Sequence, residues 1–169
     1  FPANTTEYTV TANGTNQISG STSLLKTGAA TLTIAGANTY TGGTVLGKGQ
    51  TRVRAAGALG TGTITLGDAS TGSDNVSLYL DDTARVNFNT PVIISNNGTG
   101  TMTLGSRLTT SVTGDNHQFT NISLQRDVIF DANAFDRTDF ENISGTGNIN
   151  ITGTGRALFM TANSFVGNL

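Results

Sequence analysis

Residues 23–44 read SLLKTGAATLTIAGANTYTGGT, and their spacing decides the fold. Thr31-Leu32-Thr33-Ile34 alternates polar and apolar residues with period two, the pattern of a strand with one buried face. Leu32 and Ile34 point inward, Thr31 and Thr33 outward. Gly28 ahead of this strand and Ala35-Gly36-Ala37-Asn38 behind it mark its ends, because Gly and Asn tolerate the positive φ of tight turns. Asn38-Thr39-Tyr40-Thr41-Gly42-Gly43-Thr44 then turns the chain into a further short strand at Val45-Leu46.

The stretch has a second copy. Laying Ile18-Ser19-Gly20 over Ile143-Ser144-Gly145, an offset of 125 residues, sets Gly28 on Gly153, Asn38 on Asn163 and Gly42 on Gly167. Ala37 falls on Ala162, and Tyr40 meets Phe165, an aromatic for an aromatic. A one-residue slip brings Leu32 onto Leu158. Copies at about residues 18–44 and 143–169 make a long-period repeat of short strands. Such a repeat points to a solenoid, in which each coil buries its apolar face only by stacking on its neighbours. The second copy stops partway through the unit at Leu169. The chain is therefore expected to be a piece of something longer, or to have its ends completed by another chain.

Leu25-Lys26-Thr27-Gly28-Ala29-Ala30-Thr31-Leu32-Thr33-Ile34-Ala35-Gly36-Ala37-Asn38-Thr39-Tyr40-Thr41-Gly42-Gly43-Thr44 resembles the autotransporter-associated β-strand repeat. This repeat, also called the passenger-associated transport repeat, occurs in large surface proteins of Gram-negative bacteria. The family pattern is roughly L-T-K-T-G-x-G-T-L-T-L-x-G-x-N-T-Y-T-G-G-T. Leu25 stands where Thr is usual, Ala30 where Gly is usual, and Val45 follows Thr44 directly. The match spans about 20 residues, with looser likeness at residues 60–66 and 98–104. It implies a right-handed parallel β-helix in an exported passenger region on the cell surface, with no catalytic residues.

Composition agrees with an all-β chain. Of 169 residues, 22 are Gly, 31 Thr and 17 Asn, which favours strands and turns over helices. Leu, Ile, Val and Phe together number 40, enough for a thin core. Net charge is −2, and there is no clustered basic face of the kind that nucleic acid or an anionic membrane requires. Without Cys there is no disulfide and no zinc–thiolate site. No apolar run approaches the roughly 18–20 residues of a membrane span, so this segment is not expected to insert in one.

Along the chain, strands are expected at Tyr8-Thr9-Val10-Thr11, residues 16–19 and 23–26, residues 50–54, Thr63-Ile64-Thr65-Leu66 and Val76-Ser77-Leu78-Tyr79-Leu80. More follow at residues 84–88, at Val92-Ile93-Ile94 (an apolar run read as covered on both faces) and at Thr101-Met102-Thr103-Leu104. Periodicity fades over residues 107–116. It returns with inward Phe119, Ile122 and Leu124, then Val128 and Phe130. Residues 131–141 read as a loop, and residues 147–152 alternate strictly. Short strands between Gly and Asn turns also suit an antiparallel β-sandwich; the repeat and the resemblance favour the β-solenoid, with residues 1–169 as a single segment.

Two groups stand out as candidate sites. Thr31, Thr33, Thr63, Thr65, Thr101 and Thr103 lie in Thr-x-Thr strands; stacked on one flat face they would give a regular array for ice or a surface glycan. Their unequal spacing argues against a perfect rank, and Thr is in any case a common outward strand residue. Asp127, Asp131, Asp136, Asp139 and Glu141 gather five of eleven acids in 15 residues. They would suit Ca²⁺ or glycan hydrolysis, but Arg126 and Arg137 stand among them, and a solvated loop is the simpler reading. The single His117 has no Cys or His partner for zinc. The expected role is therefore non-enzymatic: a cofactor-free extended stalk, or a fibre subunit joined through open solenoid ends. Expected partners are copies of itself, the rest of a longer chain, or a glycan or host surface.

Overall fold

The structure, a computed structural model, describes residues 7–82, 86–107, 116–132, 137–161 and 163–169. Its strands in chain order begin with β1 (Tyr8–Thr11), β2 (Leu24–Lys26), β3 (Leu32–Ala35), β4 (Thr44–Leu46), β5 (Gly49–Val53) and β6 (Ile64–Leu66). Then come β7 (Val76–Leu80), β8 (Asn87–Phe88), β9 (Val92–Ile94), β10 (Met102–Ser106), β11 (Asn116–Phe119) and β12 (Ile122–Leu124). The last are β13 (Val128–Asp131), β14 (Arg137–Phe140), β15 (Ile143–Gly145), β16 (Ile149–Thr152) and β17 (Arg156–Phe159). There is no helix among the described residues.

These strands stack into three parallel sheets. A seven-stranded sheet runs β1-β3-β5-β7-β10-β13-β16, a six-stranded sheet β2-β4-β6-β9-β12-β15, and a four-stranded sheet β8-β11-β14-β17. Every ladder between named strands is parallel, so the antiparallel sandwich is excluded and the chain is a β-solenoid. Each circuit places one strand in the seven-stranded sheet, giving seven rungs. On the third side, the first coils lack a regular ladder but still bond rung to rung, through Thr39 N to Ile18 O (2.9 Å) and Thr61 N to Tyr40 O (2.9 Å).

The core is a set of inward columns. One runs Tyr8, Leu32, Thr51, Leu78, Leu104, Phe130 and Ile151. Alternation along each strand sends the next residue outward, which is why Leu32 and Ile34 are buried as expected. Coils differ in length, so the columns are uneven. In the later rungs the four-stranded sheet contributes Phe88, Phe119, Phe140 and Phe159. Phe140 stacks on Phe130 of the facing sheet with ring centroids 4.0 Å apart and the rings nearly parallel. It also packs against Phe119 and Phe159 at 5.9 and 6.3 Å.

Three expectations are corrected. Residues 131–141 hold the regular strand β14, because its outward Arg137 and Asp139 neutralise each other and its inward Thr138 bonds the Ser106 hydroxyl (2.5 Å). Ile93 is not covered on its outer side; only Val92 and Ile94 are buried. Residues 16–19 form no strand beyond an isolated bridge of Asn16 to Asn13. The expected outcomes at residues 83–85, 108–115 and 133–136 lie outside the described residues.

Lys26 points inward at the end of β2 and is buried. Its ammonium donates to the carbonyls of Gly28 (2.6 Å) and Lys48, tying the corner between two coils. Burial lowers its pKa to about 8 from an ordinary 10.5. Below pH 8 the native state carries this desolvated charge. Between pH 8 and 10.5 the native amine is neutral while the unfolded chain still binds a proton, so stability rises with pH. The full rise would be on the order of 3 kcal/mol. Tyr40 and Tyr79, whose pKa values burial raises, act above pH 10 and reverse the trend there. Urea midpoints measured from pH 7.5 to 10 should climb in the wild-type chain and stay flat in Lys26→Met. A climb of equal size in the variant would remove Lys26 as the cause.

Candidate functional site

The residues of the NTYTGGT stretch are consumed in building a corner. Asn38 is buried; its Oδ1 accepts from Ile18 N in the coil below (2.9 Å) and its Nδ2 donates to Ala58 O in the coil above (2.8 Å). The buried Tyr40 hydroxyl bonds Thr44 Oγ1 at 2.6 Å, and Thr44 donates on to Leu59 O (3.2 Å). A Cβ at Gly42 would lie 2.5 Å from Ser21 O, so only glycine fits there. Gly28 is buried and lends its carbonyl to Lys26. Burying polar groups costs little only when each is bonded, and this corner meets that condition with residues drawn from three coils.

The second copy repeats the bond but on another face. Asn163 Oδ1 accepts from Ile143 N at 2.9 Å, across the same separation of 20 residues as Asn38 and Ile18. Asn38 and Tyr40 lie on the third side, between β3 and β4, whereas Asn163 and Phe165 stack on β15. Phe165 packs against the core, and a Cβ at Gly167 would strike Gly147 O. Gly153 turns the chain beyond β16 with φ of 95°. Leu158, aligned by sequence with buried Leu32, pairs with Asp139 on the outer side of β17; the inward residues there are Ala157 and Phe159. Ala162 lies outside the described residues.

The six candidate threonines are divided between sheets. Thr31 lies just ahead of β3, and Thr33 and Thr103 are on the seven-stranded sheet in different outward columns. Thr101 precedes β10, Thr63 lies just ahead of β6, and Thr65 is in the six-stranded sheet. Thr33 is buried, with its hydroxyl donating to Glu7 Oε1 at 2.6 Å. The expected exposed array on one face therefore does not form from these residues.

The acids separate as well. Asp127 accepts from Asn148 N (2.7 Å) at a corner, and that bond holds its carboxyl below the ordinary carboxylate range. Asp131 accepts from the Tyr79 hydroxyl (3.1 Å), and Asp139 pairs with Arg137 Nε at 2.7 Å. Glu141 stands at the corner ahead of β15, and Asp136 is outside the described residues. Among the described residues there is no group of three or more His, Cys, Asp or Glu side chains placed to hold a metal ion. His117 is buried in β11, where its Nδ1 accepts from Val86 N (3.2 Å).

One feature was not legible in the sequence, and of a second, the open end, only the existence was expected and not the residues. On the outer face of the seven-stranded sheet, the Tyr79 ring lies over Gly105, where a Cβ would come within 3.0 Å of it, and reaches Asp131 two rungs on. Arg107 stacks on that ring at 4.7 Å. At the β16–β17 end of the solenoid, apolar side chains are uncovered: Ile151 is 43% exposed, Met160 49%, Val166 72% and Leu169 73%. Ile151 continues the inward column in which Leu78, Leu104 and Phe130 are wholly buried. A ladder of side-chain oxygens climbs to the same end: Asp127 Oδ1 accepts from Asn148 N, and Asn148 Oδ1 accepts from Asn168 N (2.9 Å). No protein-family model, no curated protein and no solved structure matches the chain.

Proposed function

We propose that the chain is a non-catalytic structural segment of a bacterial surface or secreted protein, a rod that extends by stacking coil on coil. The observation that carries this reading is the end rung, where Ile151, Met160 and Val166 are exposed beside the edge strands β16 and β17. Edge strands present unpaired N–H and C=O groups that template another strand. A further coil, from the same polypeptide or a second copy, would bury the Ile151 column and meet the Asn168 amide. At the opposite edge Tyr8 occupies that same inward column and is only half-buried. A head-to-tail contact of this kind does not close on itself and makes filaments. The resemblance of residues 25–44 to a surface-protein repeat supports the cell-surface setting, and the use of that motif as a corner supports a structural role.

The test is light scattering with negative-stain microscopy over a concentration series. Mass should grow with concentration into rods, and Ile151→Lys should hold the chain at monomer mass while leaving its circular dichroism unchanged. A monomer at every concentration would refute end-to-end assembly.

A further inference from the structure

The six strands of the six-stranded sheet contain one charged residue, Lys26, and it points inward. Their outward positions form a single column in register: Leu25, Val45, Thr65, Ile93, Ser123 and Ser144. None of the six is buried, so nothing among the described residues covers this face. The other faces differ. Arg52 and Asp131 stand outward on the seven-stranded sheet, and Arg137, Asp139 and Arg156 on the four-stranded sheet.

Size and chemistry select an occupant. Strands lie about 4.8 Å apart, so the column is about 24 Å long and one residue broad. A stable protein partner needs about 800 Å² from each side, several times what such a strip offers, which disfavours a second copy. A single extended polymer fits the strip, and a charged one finds no countercharge on it. Beside Val45 and Thr65 the corner forms a shallow depression of about 370 Å³, lined by Thr41, Gly42, Gly43 and Thr63. Among the described residues the Thr63 and Thr65 hydroxyls have no hydrogen-bond partner. Ser144 donates to Ile122 O at 3.4 Å, while the Thr65 hydroxyl of the column, with Thr63 beside it, is open to a ligand. Aliphatic side chains interleaved with hydroxyls along one line complement sugar rings, which show C–H faces and hydroxyl edges.

We infer that the outer face of the six-stranded sheet binds an uncharged polysaccharide laid along the solenoid axis, with one ring seated in the depression by Val45 and Thr65. This does not rest on end-to-end assembly, since the face is lateral.

Native gels cast with hydroxyethylcellulose, dextran or mannan test it, with anionic alginate as the contrast. At least one neutral polymer should retard the chain. Thr65→Arg should weaken that retardation at least tenfold, as should Ile93→Lys, a second variant in case the first disturbs folding. Arg52→Glu, on another sheet, should leave it unchanged. Retardation by none of the neutral polymers, by alginate alone, or equally weakened by Arg52→Glu would overturn the inference. So would a concentration-dependent rise in mass that Thr65→Arg abolishes, which would assign the face to a second copy.

Discussion

Phe140→Ala should lower the free energy of unfolding by about 4 kcal/mol, the upper part of the range for deleting a buried aromatic ring. The ring is wholly buried, and its removal opens a cavity between two sheets. Phe130 loses a stacked partner 4.0 Å away, while Phe119 and Phe159 lose one each. These neighbours come from three different strands, each held by rung-to-rung hydrogen bonds, so the gap cannot close by moving one of them. Domains are stable by about 5–15 kcal/mol, and this one change would consume much of that. Urea titration followed by circular dichroism measures it; a loss under 1 kcal/mol would show that the aromatic stack does not hold the later rungs together.

Gly60→Ala should cost about 3 kcal/mol or more, from two causes acting together. Gly60 has φ of +70°, which a side chain enters only with strain. Its Cβ would also lie 2.5 Å from Tyr40 O and 2.8 Å from the Tyr40 ring. That ring is buried and anchored by its hydroxyl to Thr44, so it has no free rotamer to move into. A control isolates the ring: Tyr40→Leu combined with Gly60→Ala should recover only the contact with the ring and leave both the strain and the clash with the carbonyl of residue 40. If Gly60→Ala is neutral in the wild-type background, the corner is not built as described.

The inward faces were the part of the fold most legible in the sequence. Leu32 and Ile34, or Val76, Leu78 and Leu80, declare themselves by alternation, a property of one strand alone. What stayed hidden depends on contacts between coils. Thr33 looks exposed until Glu7, 26 residues earlier, is brought over it. β14 looks like a loop because inward Thr138 is polar, and only Ser106 on another sheet explains it. Lys26 gives no local sign of pointing inward; the carbonyls that hold it come from a corner and from the next coil. The uncharged outer face was missed for the same reason. Its members come from six strands spread from Leu25 to Ser144, and only the register of a stacked sheet brings them into line.

Tyr79 changes how such an array comes apart. In a solenoid each coil ordinarily touches only the coils beside it, so strands can peel away singly from an end. Tyr79 on β7 passes over Gly105 on β10 and hydrogen-bonds Asp131 on β13, joining rungs that are not neighbours. Loss of the β13 coil therefore exposes the ring lying on β10, and the three rungs are stabilised as a unit. The molecule behaves less like a stack of separable coins than like one with a staple through its middle, leaving fraying to the coils outside it.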